Sequence, residues 1–190
     1  MTRLTDDRRI ELFCGVLELV ADRGYDKVTM DQVAERTHSS KATLYRQWGS
    51  KARLVVEAIT CCAGAAAELP DTGSLQGDLH AMVLQKPRPD ESAIPPDLIT
   101  SLLPALKTDP ELAEAVRTDI IDAFVRDLGI VVGHAVERGE VPDDPEALQH
   151  AAVAFMAPFL LHHVVHDVEP GDDDLLAYLD AVILPALGAR

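Results

Sequence analysis

Residues 29–51 read TMDQVAERTHSSKATLYRQWGSK and predict two short helices joined by a tight turn. Thr29 and Gln32 have the spacing of a capping box, in which a Thr hydroxyl and a Gln amide satisfy free backbone groups at a helix start. A helix is therefore predicted over about 30–36. The polar residues 37–39 interrupt the apolar pattern, which resumes at Ala42, Leu44, Tyr45 and Trp48.

Helical spacing continues on both sides of this segment. Before it, apolar residues at steps of three and four predict a helix over about 6–23, and Gly24 stands where a left-handed residue would end that helix. After it, Gly49 ends one helix and Ser50 caps the next. Residues 70–77 form the first predicted linker. Further helices are predicted over about 75–85, after Pro96, and over 110–139, 145–166 and 172–187.

The composition favours an all-α protein of about nine helices. Of the 190 residues 47% are hydrophobic and 26% charged, as in globular proteins, but only 4% are aromatic. Strands prefer aromatic and β-branched side chains, so packed helices are expected. The chain begins without an apolar signal segment, which predicts a cytoplasmic protein. The apolar run at 151–161 is too short to span a bilayer and predicts a buried helix, so no membrane association is expected.

Charge is divided unevenly along the chain. The formal net charge is −15, yet residues 1–55 hold ten Lys and Arg against eight carboxylates, and the remaining residues hold seven against 24. A basic segment on an acidic body is compatible with nucleic-acid binding through that segment alone. The three cysteines fit neither a disulfide framework nor a metal-binding spacing and are expected to be packing residues.

Over about residues 8–55 the chain resembles the DNA-binding region of TetR-family transcriptional repressors. Ala34 is small where two helices must touch, Leu44 fills the core between them, and SKATLYRQW followed by SK is similar to the family's recognition helix and the start of the next helix. The segments RGEVPDDP and LPAL are similar to its ligand-binding and dimerisation domain. The resemblance implies a helix-turn-helix domain over 1–55 and an effector-binding and dimerisation domain over 56–190.

The same resemblance implies a repressor that binds double-stranded DNA and has no enzymatic activity or cofactor. The expected assembly is a homodimer on a palindromic operator, formed by the last two helices of each chain and released by a small-molecule effector. A helix-turn-helix points the start of its second helix at base edges. The candidate DNA-binding residues are Thr29, Ser40, Lys41, Ala42, Thr43, Tyr45, Arg46 and Lys51.

Several of these residues have a simpler interpretation that stays open. Thr29 can be only a helix cap, and Lys41 and Lys51 can be solvated surface lysines. Two residues also depart from the family pattern, because His38 and Ser39 occupy a turn where family members have glycine and then an apolar residue. Histidine tolerates a positive φ better than most residues but less well than glycine.

The rest of the chain offers weaker candidates. Effector contacts are predicted at Met82, Leu103, Phe124, Phe155 and Phe159, each of which could equally be a core residue. The alternative function is a metal-dependent enzyme or metal sensor, since His162, His163 and His166 would lie in one arc of a helix. Interface hydrogen bonds are the simpler interpretation of these histidines, and no metal site is expected. A helical sensor that has lost DNA binding is the third hypothesis.

Overall fold

The protein is described by a computed structural model covering residues 6–62, 69–84, 95, 97–161 and 171–189, and the regular structure in these ranges is entirely helical. The helices are α1 (Asp6–Arg23), α2 (Met30–Arg36), α3 (Lys41–Trp48), α4 (Lys51–Cys62), α5 (Leu75–Leu84), α6 (Leu98–Leu102), α7 (Ala105–Thr108), α8 (Pro110–Val116), α9 (Asp122–Glu137), α10 (Pro145–Leu161), α11 (Asp172–Tyr178) and α12 (Leu184–Ala186). A 3₁₀ turn (Tyr25–Lys27) follows α1. The predicted all-α class is confirmed.

The chain forms two compact units. Unit one comprises Met1–Ala65 and Pro87–Ile120, and unit two comprises Ala66–Lys86 and Ile121–Arg190. Packing therefore groups α6, α7 and α8 with the first four helices. The predicted boundary after residue 55 concerns function, and it stays a prediction.

Unit one is built around α1. This helix buries one face against α4 and α6, and α8 packs on α4. The apolar residues that recur at steps of three and four along α1, including Phe13, Leu17 and Val20, are fully buried. The Phe13 and Trp48 rings meet edge to face with centroids 5.9 Å apart, which joins α1 to the end of α3. Helices α2 and α3 are thus held against a rigid base.

Unit two buries a second apolar cluster formed by α5, α9, α10 and the last helices of the chain. Leu79, Leu128, Ala151 and Ile183 have no accessible surface. The Tyr178 hydroxyl donates to the Ala154 carbonyl at 2.9 Å and ties α11 to α10. Among the described helices, none has both the length and the apolarity that crossing a membrane requires.

Two helices contain a wider turn than predicted. The helix expected over 110–139 is helical from Pro110 to Glu137, but Arg117–Ile121 between α8 and α9 is π-helical. A second π segment, Leu179–Ile183, joins α11 to α12. π segments are rare and insert one extra residue into a turn, so they rotate the side chains that follow them.

Candidate nucleic-acid interface

Helix α2 begins at the predicted capping box. The Gln32 backbone N–H donates to the Thr29 hydroxyl oxygen at 3.3 Å, and the Thr29 N–H donates to the Gln32 side-chain oxygen at 2.9 Å. Thr29 is therefore a helix cap, as one of its two interpretations held. The hydroxyl oxygen accepts this bond, so its hydrogen is still available to donate to an anion.

The turn between α2 and α3 is a Schellman motif. The Ser39 N–H donates to the Ala34 carbonyl at 2.9 Å, and the His38 N–H donates to the Glu35 carbonyl at 3.3 Å. His38 takes a left-handed conformation with φ 49°. Histidine thus occupies the position that usually favours glycine in such a turn. The departure from the family pattern leaves the helix-turn-helix geometry intact.

Helix α3 separates its side chains into two faces. Leu44 and Trp48 are buried, as predicted. The candidate DNA-binding side chains of this helix lie on the other side, where Lys41, Ala42, Tyr45 and Arg46 are exposed and Thr43 is half-buried. Ser40 caps the helix by accepting a bond from the Thr43 N–H at 3.0 Å. The start of the helix is therefore fixed, and its polar face is open to solvent.

The charge on this face is partly neutralised by α2. The Lys41 ammonium donates to an Asp31 carboxylate oxygen at 2.8 Å, and both side chains are largely exposed. The hydrogen bond that Lys41 donates to Asp31 raises the pKa of the lysine. Arg46 forms no ion pair with any residue of the described ranges, so its guanidinium is free to contact a phosphate.

Lys51 is not the solvated lysine of its simpler interpretation. Its ammonium donates to the backbone carbonyls of Tyr25 at 2.8 Å and Val28 at 3.0 Å. It also lies 3.8 Å from the centre of the Tyr25 ring. Burial lowers the pKa of Lys51, although the nearby Asp26 and Asp109 carboxylates oppose this shift. Two of its three N–H groups are therefore bound within the protein.

The other cations of unit one are largely bound within the protein. Ion pairs join Arg8 to Glu11, Arg9 to Glu57, Arg36 to Glu18 and Arg53 to Glu111. Arg8 also donates to the Thr37 carbonyl at 2.7 Å and so ties α1 to the turn. The effective positive charge of this unit is therefore smaller than the count of its basic residues indicates.

The candidate effector residues do not all come together. Phe124 and Phe155 pack with ring centroids 5.0 Å apart in unit two, and Met82 joins the same apolar cluster. Leu103 belongs to unit one, between α6 and α7, and is not part of that cluster. The Phe159 side chain lies outside the described residues. The cluster is compatible with a cavity wall and equally with an ordinary core.

The metal alternative gains no support. His162, His163 and His166 lie outside the described residues. Within the ranges that are described, no three His, Cys, Asp or Glu side chains are placed to hold a metal ion. The three cysteines lie at different depths, with Cys62 buried and Cys61 exposed.

Three residues near the interface were not predicted from the sequence. Asp31 pairs with Lys41, and the Tyr25 hydroxyl donates to Asp109 at 2.9 Å. Asp31 lies in the first turn of α2, where a carboxylate interacts favourably with the positive end of the helix dipole. Its pairing with Lys41 depends on the angle between two helices, and Tyr25 and Asp109 are 84 residues apart. No local pattern reports either contact.

Two family models match the chain. Residues 16–58 match bacterial regulatory proteins of the tetR family, and residues 69–182 match the tetracyclin repressor-like C-terminal domain. A DNA-binding transcriptional repressor TetR from Mycobacteroides abscessus is 32% identical over 97% of each chain. An uncharacterized HTH-type transcriptional regulator from Mycobacterium tuberculosis is 30% identical over 95% of this chain and 88% of its own length.

Solved structures share the fold at lower identity. A putative TetR-family transcriptional regulator from Rhodococcus sp. aligns with a TM-score of 0.71 and 19% identity over 96% of this chain and 100% of its own. AibR in complex with isovaleryl coenzyme A and operator DNA aligns with a TM-score of 0.55 and 16% identity, over 96% and 100%. Together with the exposed face of α3, these matches show that the chain belongs to the TetR family of bacterial transcriptional regulators.

Proposed function

We propose that the chain is a homodimeric repressor that acts in the cytoplasm, binds a palindromic operator and is released by a small-molecule effector. It works by binding alone, without catalysis. The observation that carries the proposal is the division of α3 into a buried face at Leu44 and Trp48 and an exposed polar face beginning at Lys41. Such a helix is shaped to enter a major groove.

Each candidate side chain then has a role that follows from its position. Ser40, Lys41 and Thr43 lie at the start of α3, from which a recognition helix reads base edges. Tyr45 is 45% exposed and can donate its hydroxyl to a phosphate. Three further groups are proposed to contact phosphates of the DNA backbone: the Thr29 hydroxyl, the Arg46 guanidinium and the remaining Lys51 N–H. Ala42 is small and allows α3 to approach the DNA closely.

Dimerisation explains how a DNA-binding head, the predicted helix-turn-helix region over 1–55, becomes specific with so few unpaired cations. Two recognition helices related by a twofold axis read two half-sites about 34 Å apart, one turn of DNA. The effector is proposed to bind in unit two, where Met82, Phe124 and Phe155 lie. AibR, which has the same fold, was solved with a ligand and operator DNA together. This supports a protein that has a small-molecule site in addition to its DNA-binding face.

The test begins with selection of duplexes from a random-sequence pool by the wild-type protein. Lys41→Ala and Thr43→Ala are each expected to change the preferred sequence, with discrimination at the affected base pair falling about tenfold. Lys51→Ala is expected to weaken all duplexes alike and to reduce the salt slope of binding by about one. Fluorescence anisotropy on the selected duplex measures both effects.

Lys107→Ala is the matched control. Lys107 is an exposed lysine on α7, outside the helix-turn-helix, so its loss changes net charge equally without altering the interface. It is expected to leave sequence preference unchanged. A wild-type protein that enriches no duplex would contradict the proposal and favour a helical sensor without DNA binding. A Lys51→Ala variant with a new sequence preference would overturn the assignment of Lys51 to the backbone.

A further inference from the structure

A buried tyrosine directly after α1 is hydrogen-bonded to a residue 84 positions later in the sequence. Tyr25 lies in the 3₁₀ turn after α1 and has 1% of its surface exposed. Its hydroxyl donates to an Asp109 carboxylate oxygen at 2.9 Å. Burial raises the pKa of Tyr25, and the hydrogen bond to Asp109 raises it further, so the hydroxyl keeps its proton. The bond joins the predicted DNA-binding region to a residue far outside it.

Asp109 binds a second element with its other carboxylate oxygen. As the N-cap of α8, that oxygen accepts from the N–H groups of Glu111 at 3.0 Å and Leu112 at 3.1 Å. Burial raises the pKa of Asp109, but the Leu112 N–H, the Tyr25 hydroxyl and the Glu111 N–H outweigh it, so the pKa lies below its ordinary value. One ionised carboxylate thus connects the start of α8 to Tyr25.

Tyr25 in turn contacts Lys51 with both its ring and its backbone carbonyl. The Lys51 ammonium lies over its ring and donates to its backbone carbonyl, and also to that of Val28. Lys51 opens α4, whereas Val28 immediately precedes Thr29, the cap of α2. The ammonium therefore links the start of α4 to the approach to α2, and both depend on where the Tyr25 side chain is held.

We infer that Asp109 is a positioning residue for DNA binding: by fixing the Tyr25 side chain it holds Lys51 and the cap of α2 in the arrangement that meets the operator backbone. This inference rests on the proposed DNA-binding function. Asp109 would then influence DNA binding without contacting DNA, from its position at the start of α8. The start of α8 and the DNA-binding helices then act as one piece.

Tyr25→Phe tests the inference with the smallest possible change. Phenylalanine keeps the buried ring beneath the Lys51 ammonium and removes only the hydroxyl. Thr72→Val is the matched control, because it removes a bond of 2.8 Å from a hydroxyl to a buried carboxylate, that of Asp78, in unit two and outside the helices expected to form the dimer. Both variants are expected to lose similar thermal stability. Only Tyr25→Phe is expected to bind the selected duplex about tenfold more weakly, with a salt slope lower by about one.

Asp109→Ser approaches the same bond from the other side. Serine still caps α8 but is too short to reach Tyr25, so this variant is expected to match Tyr25→Phe in affinity and salt slope. The double variant should lose no more than either single one, since both remove one interaction. Wild-type binding and salt slope in both single variants would overturn the inference, as would additive losses in the double variant. A wild-type protein that binds no duplex would contradict the proposed function instead.

Discussion

At the residue scale, the partner of Lys41 decides how much charge α3 offers to DNA. The Lys41 ammonium and the Asp31 carboxylate are 2.8 Å apart on an exposed surface. An ion pair in water contributes little to stability, because both charges are well solvated when separated. Its effect on DNA binding is larger, since the carboxylate repels the DNA phosphates and competes with base edges for the Lys41 ammonium.

Asp31→Asn is therefore expected to strengthen DNA binding. Removing the carboxylate frees Lys41 for base edges and takes a negative charge from the binding face, so affinity for the selected duplex should rise about threefold to tenfold at low salt. The salt slope should steepen, because one negative charge fewer faces the DNA phosphates. Anisotropy titrations over a range of salt concentrations measure both quantities.

Asp22→Asn controls for net charge in that experiment. Asp22 is an exposed carboxylate on α1 that forms no ion pair with the described part of the chain. An equal gain in affinity from Asp22→Asn would show that overall charge, and not the release of Lys41, explains the result. The control should leave the salt slope within error of the wild-type value.

At the scale of elements, sequence patterns predicted what is local. The capping box at Thr29, the positive φ near His38 and the helix starting at Pro110 are each encoded within a few residues. The π segment at Arg117–Ile121 was missed, although apolar residues in this helix recur every four residues, a step longer than the 3.6 of an α-helix. That drift is small enough to be absorbed by either a wider turn or a rotated helix.

Side-chain networks between elements could not be predicted. Asp78 on α5 is completely buried and accepts from Arg138 at 3.0 Å and from the Thr72 hydroxyl at 2.8 Å. Burial raises the pKa of Asp78, but the bonds from Thr72 and Arg138 outweigh it and hold the pKa below its ordinary value. Arg138 also pairs with Asp71 at 3.1 Å. One carboxylate thus joins α5 to the end of α9.

Asp78→Asn is expected to destabilise the protein at neutral pH but not in acid. A carboxylate with a lowered folded-state pKa contributes stability that is full above its unfolded pKa, about 4, and is lost as the pH falls through the folded value. The variant should melt on the order of 5 °C below wild type at neutral pH, because Asn offers Arg138 no charge. The gap should close as the pH falls below the ordinary Asp pKa of about 4 and wild-type Asp78 gains its proton.

Melting followed by circular dichroism at several pH values measures this gap. Asp143→Asn is the control, because Asp143 is exposed in the loop before α10 and forms no ion pair with a described residue. It should melt with the wild type throughout. A constant gap between Asp78→Asn and wild type from neutral to acid pH would contradict a charged Asp78.

At the scale of the whole molecule, the fold class and the family were readable from the sequence, and the packing of α6–α8 was not. Residues 29–51 contain the local rules of a helix-turn-helix, so a short segment identifies it. The burial of Leu98 and Leu112 in the core of unit one depends on contacts with α1 and α4, far away in sequence. Short apolar helices such as α6 carry no pattern that names their partners.

The distribution of charge also favours the proposed dimer. The molecule has a net charge of −15, and five of the nine basic residues in the described part of 1–55 are paired with carboxylates of the protein. One head therefore offers few free charges to DNA. A dimer doubles these contacts and fixes their spacing, so the second head binds at a high effective concentration.

Exposed apolar side chains in unit two are the candidate contact surface of the proposed dimer. Val153 on α10 is 72% exposed and Val182, near the chain end, is 39% exposed, although both belong to the helices expected to form the dimer. Val153→Glu places a charge on this face and is expected to give a monomer in light scattering. Operator affinity should fall at least about a hundredfold, because each head must then bind alone.

Leu84→Glu makes the same kind of change elsewhere, since Leu84 is 47% exposed at the end of α5. This variant should remain dimeric and bind the operator as the wild type does. If Val153→Glu stayed dimeric, the interface would lie on another surface. If it became monomeric yet kept wild-type affinity, a single head would suffice for recognition, and neither the palindromic operator nor the twofold assembly would be needed to explain binding.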